Sequence, residues 1–476
     1  MKTIGFLVAV GALFLPVNLR AADNPVIVHE WGTFTCLQDE KGQAIDGINV
    51  DDEPVPNFVY GSRDGDVVRH SAYGNFGLPP YNPYAGKSGP LPTGDPSVTM
   101  RLETPVLYIY PPKGQGPHAV PALDVHVDFH GGFLTQYYPC AASTDFSGQN
   151  KITEKSTSSL DWKGVRLGST EKPVETSDKV WTTPREVSAP LLEVHPMMKD
   201  VNGVVHDDAQ VEHFLFYRGV GHLDSLLRLQ DGDGSLGVWP QGWSGVSMSF
   251  PAWLVEIQAD GSCAYREVTK LGGSGMSWRP MSLATISETF ATNDFSAGNL
   301  ANLKASMQDT LVKAGLYPEE ASAMLRTWEL SYFKSPGLRF FYVAPKSWVD
   351  KVLPLKISGA PTNITRVMVG RIELISPAQR ATLARLAAGP CPNFVAVKKA
   401  ALEALEKGHF TDEQRDGFIS GERPLSELGV SLPPLVQDYF ALGRFRDALI
   451  VHEQQVHPSA ALAQFIKDNQ LALGGR

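Results

Sequence analysis

Between residue 25 and about residue 267 the chain is built from short runs of apolar, aromatic or β-branched residues, each bounded by Gly and Pro; residues 26–28, 106–110, 125–129, 213–217 and 253–257 are the clearest. Such residues fit a pleated, half-buried surface, and Gly and Pro supply the turns between strands. Many short strands with turns of this kind predict a sandwich or a related β-architecture. Residues 73–96 break the pattern. They are crowded with Gly, Pro, Asn and Tyr, have no period, and read as a long ordered loop. Its aromatics Tyr73, Phe76, Tyr81 and Tyr84 mark it as a place for a carbohydrate or peptide polymer partner, and serve equally well as packed coil.

Helical spacing begins near Ala297, where Leu300, Leu303 and Met307 share a face, and it stops at Gly315. A second helix follows Pro318, with Ala321, Met324, Leu325 and Trp328 on one side. Strand-like text returns at residues 339–343 and 366–375. Beyond it, Ser376-Pro377-Ala378-Gln379 has the form of an N-cap, an N1 proline and an N3 glutamine, Gly389 closes that segment, and residues 411–414 repeat the capping pattern. The expected class is therefore α+β. A β-rich, sandwich-like body over residues 22–375 carries an inserted helical pair at about 297–334, and residues 376–476 form an all-helical C-terminal segment.

The N-terminus predicts export. Lys2, an apolar run over residues 4–15, Pro16 and the small pair Ala21-Ala22 have the layout of a secretory signal peptide of residues 1–21, with a mature start at Ala22. Twelve apolar residues span only about 18 Å as a helix, against a hydrocarbon core of roughly 30 Å, so this segment is too short for an anchor. No later window holds 18 consecutive apolar residues and no Cys follows the apolar run to accept a lipid. A soluble periplasmic or extracellular protein is expected. The formal charge of −9 becomes two units more negative once Lys2 and Arg20 leave with the peptide. An acidic chain with no basic run argues against nucleic acid and anionic membrane as partners. Cys36, Cys140, Cys263 and Cys391 lie far apart without a C-x-x-C; an oxidising compartment allows two bridges by any of three connectivities, and unpaired they are small core residues.

Three stretches carry a resemblance. They are Val28-His29-Glu30-Trp31-Gly32-Thr33-Phe34-Thr35; Glu103-Thr104-Pro105-Val106-Leu107-Tyr108 with Phe133-Leu134-Thr135-Gln136-Tyr137-Tyr138-Pro139; and a block from Gly315 to Leu374 that includes Gly337-Leu338-Arg339-Phe340-Phe341-Tyr342-Val343-Ala344-Pro345 and Val369-Gly370-Arg371-Ile372-Glu373. Together they resemble a family of exported bacterial proteins of the Planctomycetes and Verrucomicrobia type, a family to which no activity, cofactor or catalytic residue is attached. The resemblance implies export and one long co-folded body from about residue 26 to 375.

Several motifs fail on spacing. His452 and His457 frame an H-E-x-x-x-H in which the second imidazole is turned about 140° from the first on a helix, unlike the zincin pair. Gly232, Gly234 and Gly237 match a dinucleotide fingerprint, but Trp239-Pro240 stands where a helix should open. Asp231 and Asp233 begin like a calcium loop whose twelfth position is Gly242, so a turn is the simpler reading. The segments at 242–246 and 272–276 each lack the last glycine of a serine-hydrolase elbow.

The candidate sites are local. In Asp124-Val125-His126-Val127-Asp128-Phe129-His130, strand alternation puts the two Asp and two His on one face and the apolar residues on the other. His126 and His130 are about 13 Å apart along such a strand, so a divalent ion would take His126 or His130 with Asp128 and further ligands from elsewhere. The bland alternative is a solvated strand face. His29 is the second candidate, as ligand or general base, on a face shared with Trp31, Thr33 and Thr35, with Glu30 opposite; the alternative is a hydrogen-bonded structural histidine. Arg101 with Glu103 and Arg371 with Glu373 are i, i+2 pairs fit for a polar cluster. The leading reading is a metal-assisted hydrolase of an envelope or extracellular polymer, with a divalent ion on His29, His126 and His130 and with Glu30 and Asp128 as catalytic carboxylates. The rival is a non-catalytic binding or assembly protein.

Overall fold

A computed structural model describes residues 24–48, 55–60, 97–143, 151–196, 198–199, 205–206, 208–232, 234–241, 250–268, 271, 282–469 and 471. The expected signal peptide at 1–21, the expected aromatic loop at 73–96 and the segments at 242–246 and 272–276 lie outside these residues.

The body is organised by one eight-stranded sheet. Its order is Cys263–Val268, Ala252–Ile257, Gly337–Val343, Thr362–Leu374, Val26–Gln38, Met100–Tyr110, Leu215–Gly221 and Gly132–Tyr138. Every neighbouring pair is antiparallel except the central one, where Val26–Gln38 runs parallel to Thr362–Leu374. The first strand is much longer than the expected run at 26–28. It carries no simple alternation because both of its faces are covered, a pattern that sheets buried on two sides share.

On one face, Val28, Phe34, Cys36, Leu107 and Ile109 meet Val125, Val127, Phe129, Leu160 and Trp162 of a second sheet, closing a sandwich core. Strand Leu123–His130 of that second sheet alternates as expected, its apolar residues buried and its Asp and His side chains on the outer face. On the opposite face of the large sheet, Trp31, Tyr108, Trp253, Phe341 and Val367 pack under helices Asn299–Lys313 and Pro318–Thr327 through Leu303, Met307, Met324 and Trp328. A third cluster, with Leu37, Phe133 and Val220 from the body, takes the apolar faces of the C-terminal helices. Those helices start where the caps predict: Ser376 and Thr411 each accept a backbone N–H at the N3 position while Gln379 and Gln414 reach back.

The body motifs meet at close backbone approaches. Opposite Trp31 and Thr33 the neighbouring strand carries one extra residue, so the face assignment switches: Met100 and Leu102 point into the sandwich before the irregularity, and Leu107 and Ile109 do so after it. Pro105, which has no N–H to give a ladder, sits in this bulge. It lies so close that a Cβ on Gly32 would stand 2.9 Å from the Pro105 Cα and 3.0 Å from Met368 Sδ. In the same way the Tyr342 ring lies across Gly370, its cross-strand partner, within 2.5 Å of where a Cβ would be. Each glycine is matched to a bulky residue of another motif.

The Asp231 region is a tight hairpin, with Gly232 paired to Ser235. All four cysteines are free: Cys36 and Cys263 are buried, Cys140 and Cys391 partly so, and burial pushes the Cys36 thiol up to about 12. No helix among the described residues is long and apolar enough to cross a membrane.

Gly32→Ala is expected to cost about 1–3 kcal/mol, because the backbone of Pro105 must move to admit the methyl. Urea unfolding checks this against Gly116→Ala, where the added Cβ meets nothing within 4 Å and stability should hold within about 0.5 kcal/mol.

Candidate functional site

The structure does not bring the five candidate residues together; it distributes them over three environments on different layers. His29 faces the helices. Its Nδ1 lies 2.8 Å from Glu320 Oε2, and the other oxygen of that fully buried carboxylate accepts from the Tyr110 hydroxyl at 2.7 Å. Glu320 is the N3 residue of helix Pro318–Thr327 and also accepts the Tyr317 backbone N–H at 2.6 Å, closing a capping box. His29 is enclosed between the Tyr110 and Tyr317 rings, with centroids 5.6 and 4.6 Å away. Its imidazole thus ties the first strand to a helix N-terminus.

Glu30 points the other way, into the sandwich, where it is fully buried. Arg366, its register partner on the parallel strand, donates to it through Nε, and the Tyr217 hydroxyl donates to its other oxygen. Burial opposes charge on Arg366, but Glu30 beside it outweighs burial and holds the guanidinium pKa above its ordinary value. Burial and then Glu30 push the Tyr217 hydroxyl well up. A buried carboxylate accepting from two buried donors has its charge compensated within the fold.

His126, Asp128 and His130 stand on the outer face of the second sheet. His126 Nε2 lies 3.0 Å from Asp128 Oδ1, and its Nδ1 lies 3.0 Å from Asp161 Oδ1 on the adjacent strand. Both ring nitrogens thus face carboxylate oxygens. Lys163 approaches Asp161 at 3.6 Å, and exposed His130 turns away to the Lys351 carbonyl at 2.9 Å. The residues expected to share a divalent ion are not gathered at one point: His29 faces the helices, and His126 and His130 stand on the outer face of the second sheet. Strand alternation predicted the shared face of His126, Asp128 and His130, and among the described residues no group of three or more His, Cys, Asp or Glu is arranged to hold a metal ion.

The convergent site is elsewhere, where the paired arginines and glutamates of the sequence meet. The bulge at Pro105 turns Arg101 and Glu103 to the helix-covered face. Glu103 accepts from Arg101 Nε at 3.1 Å, Thr35 Oγ1 at 2.7 Å, the Tyr332 hydroxyl at 2.8 Å, and Arg444 Nη2. Glu373 Oε1 is shared by Arg371 Nε at 2.6 Å and Arg339 Nε at 3.1 Å. A π-helical turn at Glu329–Lys334 offers its carbonyls: Ser331 to Arg371 at 2.9 Å and Tyr332 to Arg339 at 2.6 Å. Arg371 also lies 4.1 Å over the Tyr332 ring, which stacks on Trp328.

Burial would raise the Glu103 carboxyl, but Arg444, Arg101 and Arg371 outweigh it and hold it well below the usual carboxylate range. Burial first, and then Arg371 and Arg444, push the Arg339 guanidinium down to about 10 against the pull of Glu373. The i, i+2 spacing of Arg101-Glu103 and Arg371-Glu373 signalled a polar cluster. Arg444 carried no such signal, because it comes from the loop before helix Arg446–Val456, more than sixty residues beyond the body. No protein-family model matches the chain, and no curated protein matches it in sequence.

Glu103→Gln should lower stability at neutral pH by about 3–5 kcal/mol, since it leaves buried guanidinium groups facing a neutral amide. The folded pKa of Glu103 is depressed, so its stabilisation is fully present above the unfolded value near 4.3 and is lost as pH falls through the folded pKa. Urea unfolding of both proteins at a series of pH values should therefore show the gap between them constant from about pH 5 to 7 and narrowing below about pH 4.

Proposed function

We propose that this chain is an exported, non-catalytic binding protein. One observation carries the reading: His29, Glu30 and the pair His126 and Asp128 are each engaged by partners inside the fold, in three environments that do not converge on one point. A hydrolytic site needs a base and an electrophilic group that converge on one point about 3 Å from a reacting atom. The buried pairs here instead neutralise polar side chains on strands that are covered on both faces. Export is supported by the charged start, the apolar run and the small-residue pair at residues 1–22.

The test is metal analysis of the purified mature protein, together with its stability in chelator and that of His126→Ala. The expected result is no stoichiometric ion, an unchanged unfolding midpoint in chelator, and a loss of less than about 1 kcal/mol for His126→Ala, the scale of half-exposed ion pairs. A stoichiometric divalent ion that disappears in His126→Ala would overturn the binding reading in favour of a metal-assisted hydrolase.

A further inference from the structure

His29 is held by the fold through one ring nitrogen only. Its Nδ1 lies 2.8 Å from Glu320 Oε2, and an ionised carboxylate can only accept, so in the neutral ring Nδ1 carries the proton and Nε2 presents a lone pair. Among the described residues Nε2 has no hydrogen-bond partner. Nor is it one of the partnerless atoms sealed from solvent, so it belongs to the 5% of the side chain that is open.

The surroundings of that nitrogen are set by where the helices stop covering the sheet. Along strand Thr362–Leu374 the residues are exposed or half-buried from 362 to 365 and buried from Arg366 onward. His29 and Thr365 are register partners on the parallel strands, which stand about 4.8 Å apart, and Asn363 lies one side-chain repeat further along the same face. Thr365 turns toward the helices: a Cβ on Gly315, in the turn before helix Pro318–Thr327, would stand 3.0 Å from its Cγ2. Neither Asn363 nor Thr365 makes a side-chain hydrogen bond among the described residues. Over this margin stands Tyr317, 37% exposed, with its ring centroid 4.6 Å from His29 and 5.2 Å from Tyr110.

The groups left over are neutral. The Glu320 carboxylate is met by His29, the Tyr110 hydroxyl and the Tyr317 backbone N–H, and Glu319 accepts from Ser188 Oγ at 3.0 Å. Two carboxylates this near also repel an anion. The site therefore offers a buried acceptor, a hydroxyl, an amide and a half-exposed aromatic ring, the mixture of an apolar surface and a few placed polar groups that small-molecule sites use. A sugar residue matches it within one ring, because its C–H bonds form an apolar face for Tyr317 and its hydroxyls radiate from the rim toward Nε2, Thr365 and Asn363. A peptide has one N–H per residue, flanked by side chains, and does not supply several donors around one apolar face.

We infer that His29, Tyr317, Thr365 and Asn363, at the margin where the large sheet emerges from under the helices, form a binding site for a neutral sugar residue. Naming this ligand rests on the binding reading. A ligand hydroxyl donates to His29 Nε2, and the ring packs on Tyr317. Glu320 acts as a positioning residue, since it fixes the tautomer that leaves Nε2 free to accept.

The test is calorimetric titration of the full mature chain at about pH 8, where an ordinary imidazole is neutral, with cellotriose, xylotriose, maltotriose and the trimer of N-acetylglucosamine, and with trialanine as the peptide probe. Nitrogen resonances of the histidine side chains in the same samples report the His29 tautomer and whether Nε2 accepts. The expected result is saturable one-to-one uptake of at least one trisaccharide, a His29 proton on Nδ1, and movement of the Nε2 resonance on binding. Tyr317→Ala should weaken Kd about tenfold and Thr365→Val about threefold or more, the losses of a stacking face and of one hydrogen bond. Thr365→Val removes a hydroxyl that has no partner in the fold, so it decides if Tyr317→Ala does not fold. Uptake of no trisaccharide overturns the inference, and so does uptake of trialanine alone, which would assign the site to a peptide. A His29 proton on Nε2, a bound sugar that leaves the Nε2 resonance in place, or a folded Thr365→Val that binds as well as wild type does would each overturn it too. These outcomes are separate from those of the metal test: failure here with no bound ion leaves a binding protein whose ligand site lies elsewhere.

Discussion

The parallel pairing of Val26–Gln38 with Thr362–Leu374 sets the terms for everything else in the body. It joins the first strand to the last across thirteen register positions, at the middle of an eight-stranded sheet. A strand in that position has no solvent face. One side closes a sandwich and the other lies under helices, so each polar side chain on it must find its partner inside the protein or carry an uncompensated desolvation cost. The register supplies some of those partners directly. Glu30 lies opposite Arg366, and the polar face at Thr35 lies opposite Arg371.

The rest of the polar chemistry follows from that constraint. His29, on the helix-facing side, meets the carboxylate that caps helix Pro318–Thr327, and the same contact holds the helix over Trp31 and Tyr108. Glu103 faces the same side only because a bulge at Pro105 shifts the strand by one residue, and that bulge is possible only because position 32 has no side chain. The geometry of one element thus depends on a glycine in its neighbour. Arg101, Arg339 and Arg371 come from three strands, the carbonyls from a π-turn and Arg444 from the helical segment, so the cluster is the point where sheet, helices and C-terminal segment are fastened together.

Buried ionic groups of this kind serve two ends that sequence cannot separate. Histidine next to glutamate on a strand reads equally as a catalytic pair or as two structural residues, because alternation sends them to opposite faces and says nothing of what covers each face. In this chain Glu30 meets a guanidinium and His29 meets a helix cap. The Asp and His residues at 124–130 share a face as the period requires, yet Asp161 from the adjacent strand takes the second nitrogen of His126. Pairing across strands decided which donor atoms stayed available.

What the sequence determined by itself was local. The α+β class, the strands at 123–130 and 252–257, the helices after Gly298 and Pro318, and the start of the C-terminal helices at Ser376 were legible because caps, turns and period are properties of neighbouring residues. The i, i+2 spacing of Arg101-Glu103 and Arg371-Glu373 marked the polar cluster in the same way. Only the tertiary structure decided that these two pairs share one site, that Glu320, Asp161 and Arg444 join the candidates, and that the first strand runs thirteen residues through the centre of the sheet. Those outcomes depend on contacts between residues up to several hundred positions apart, and on close fits such as Gly32 under Pro105. No period or motif encodes them, because the energy that selects them exists only once both faces of the sheet are covered.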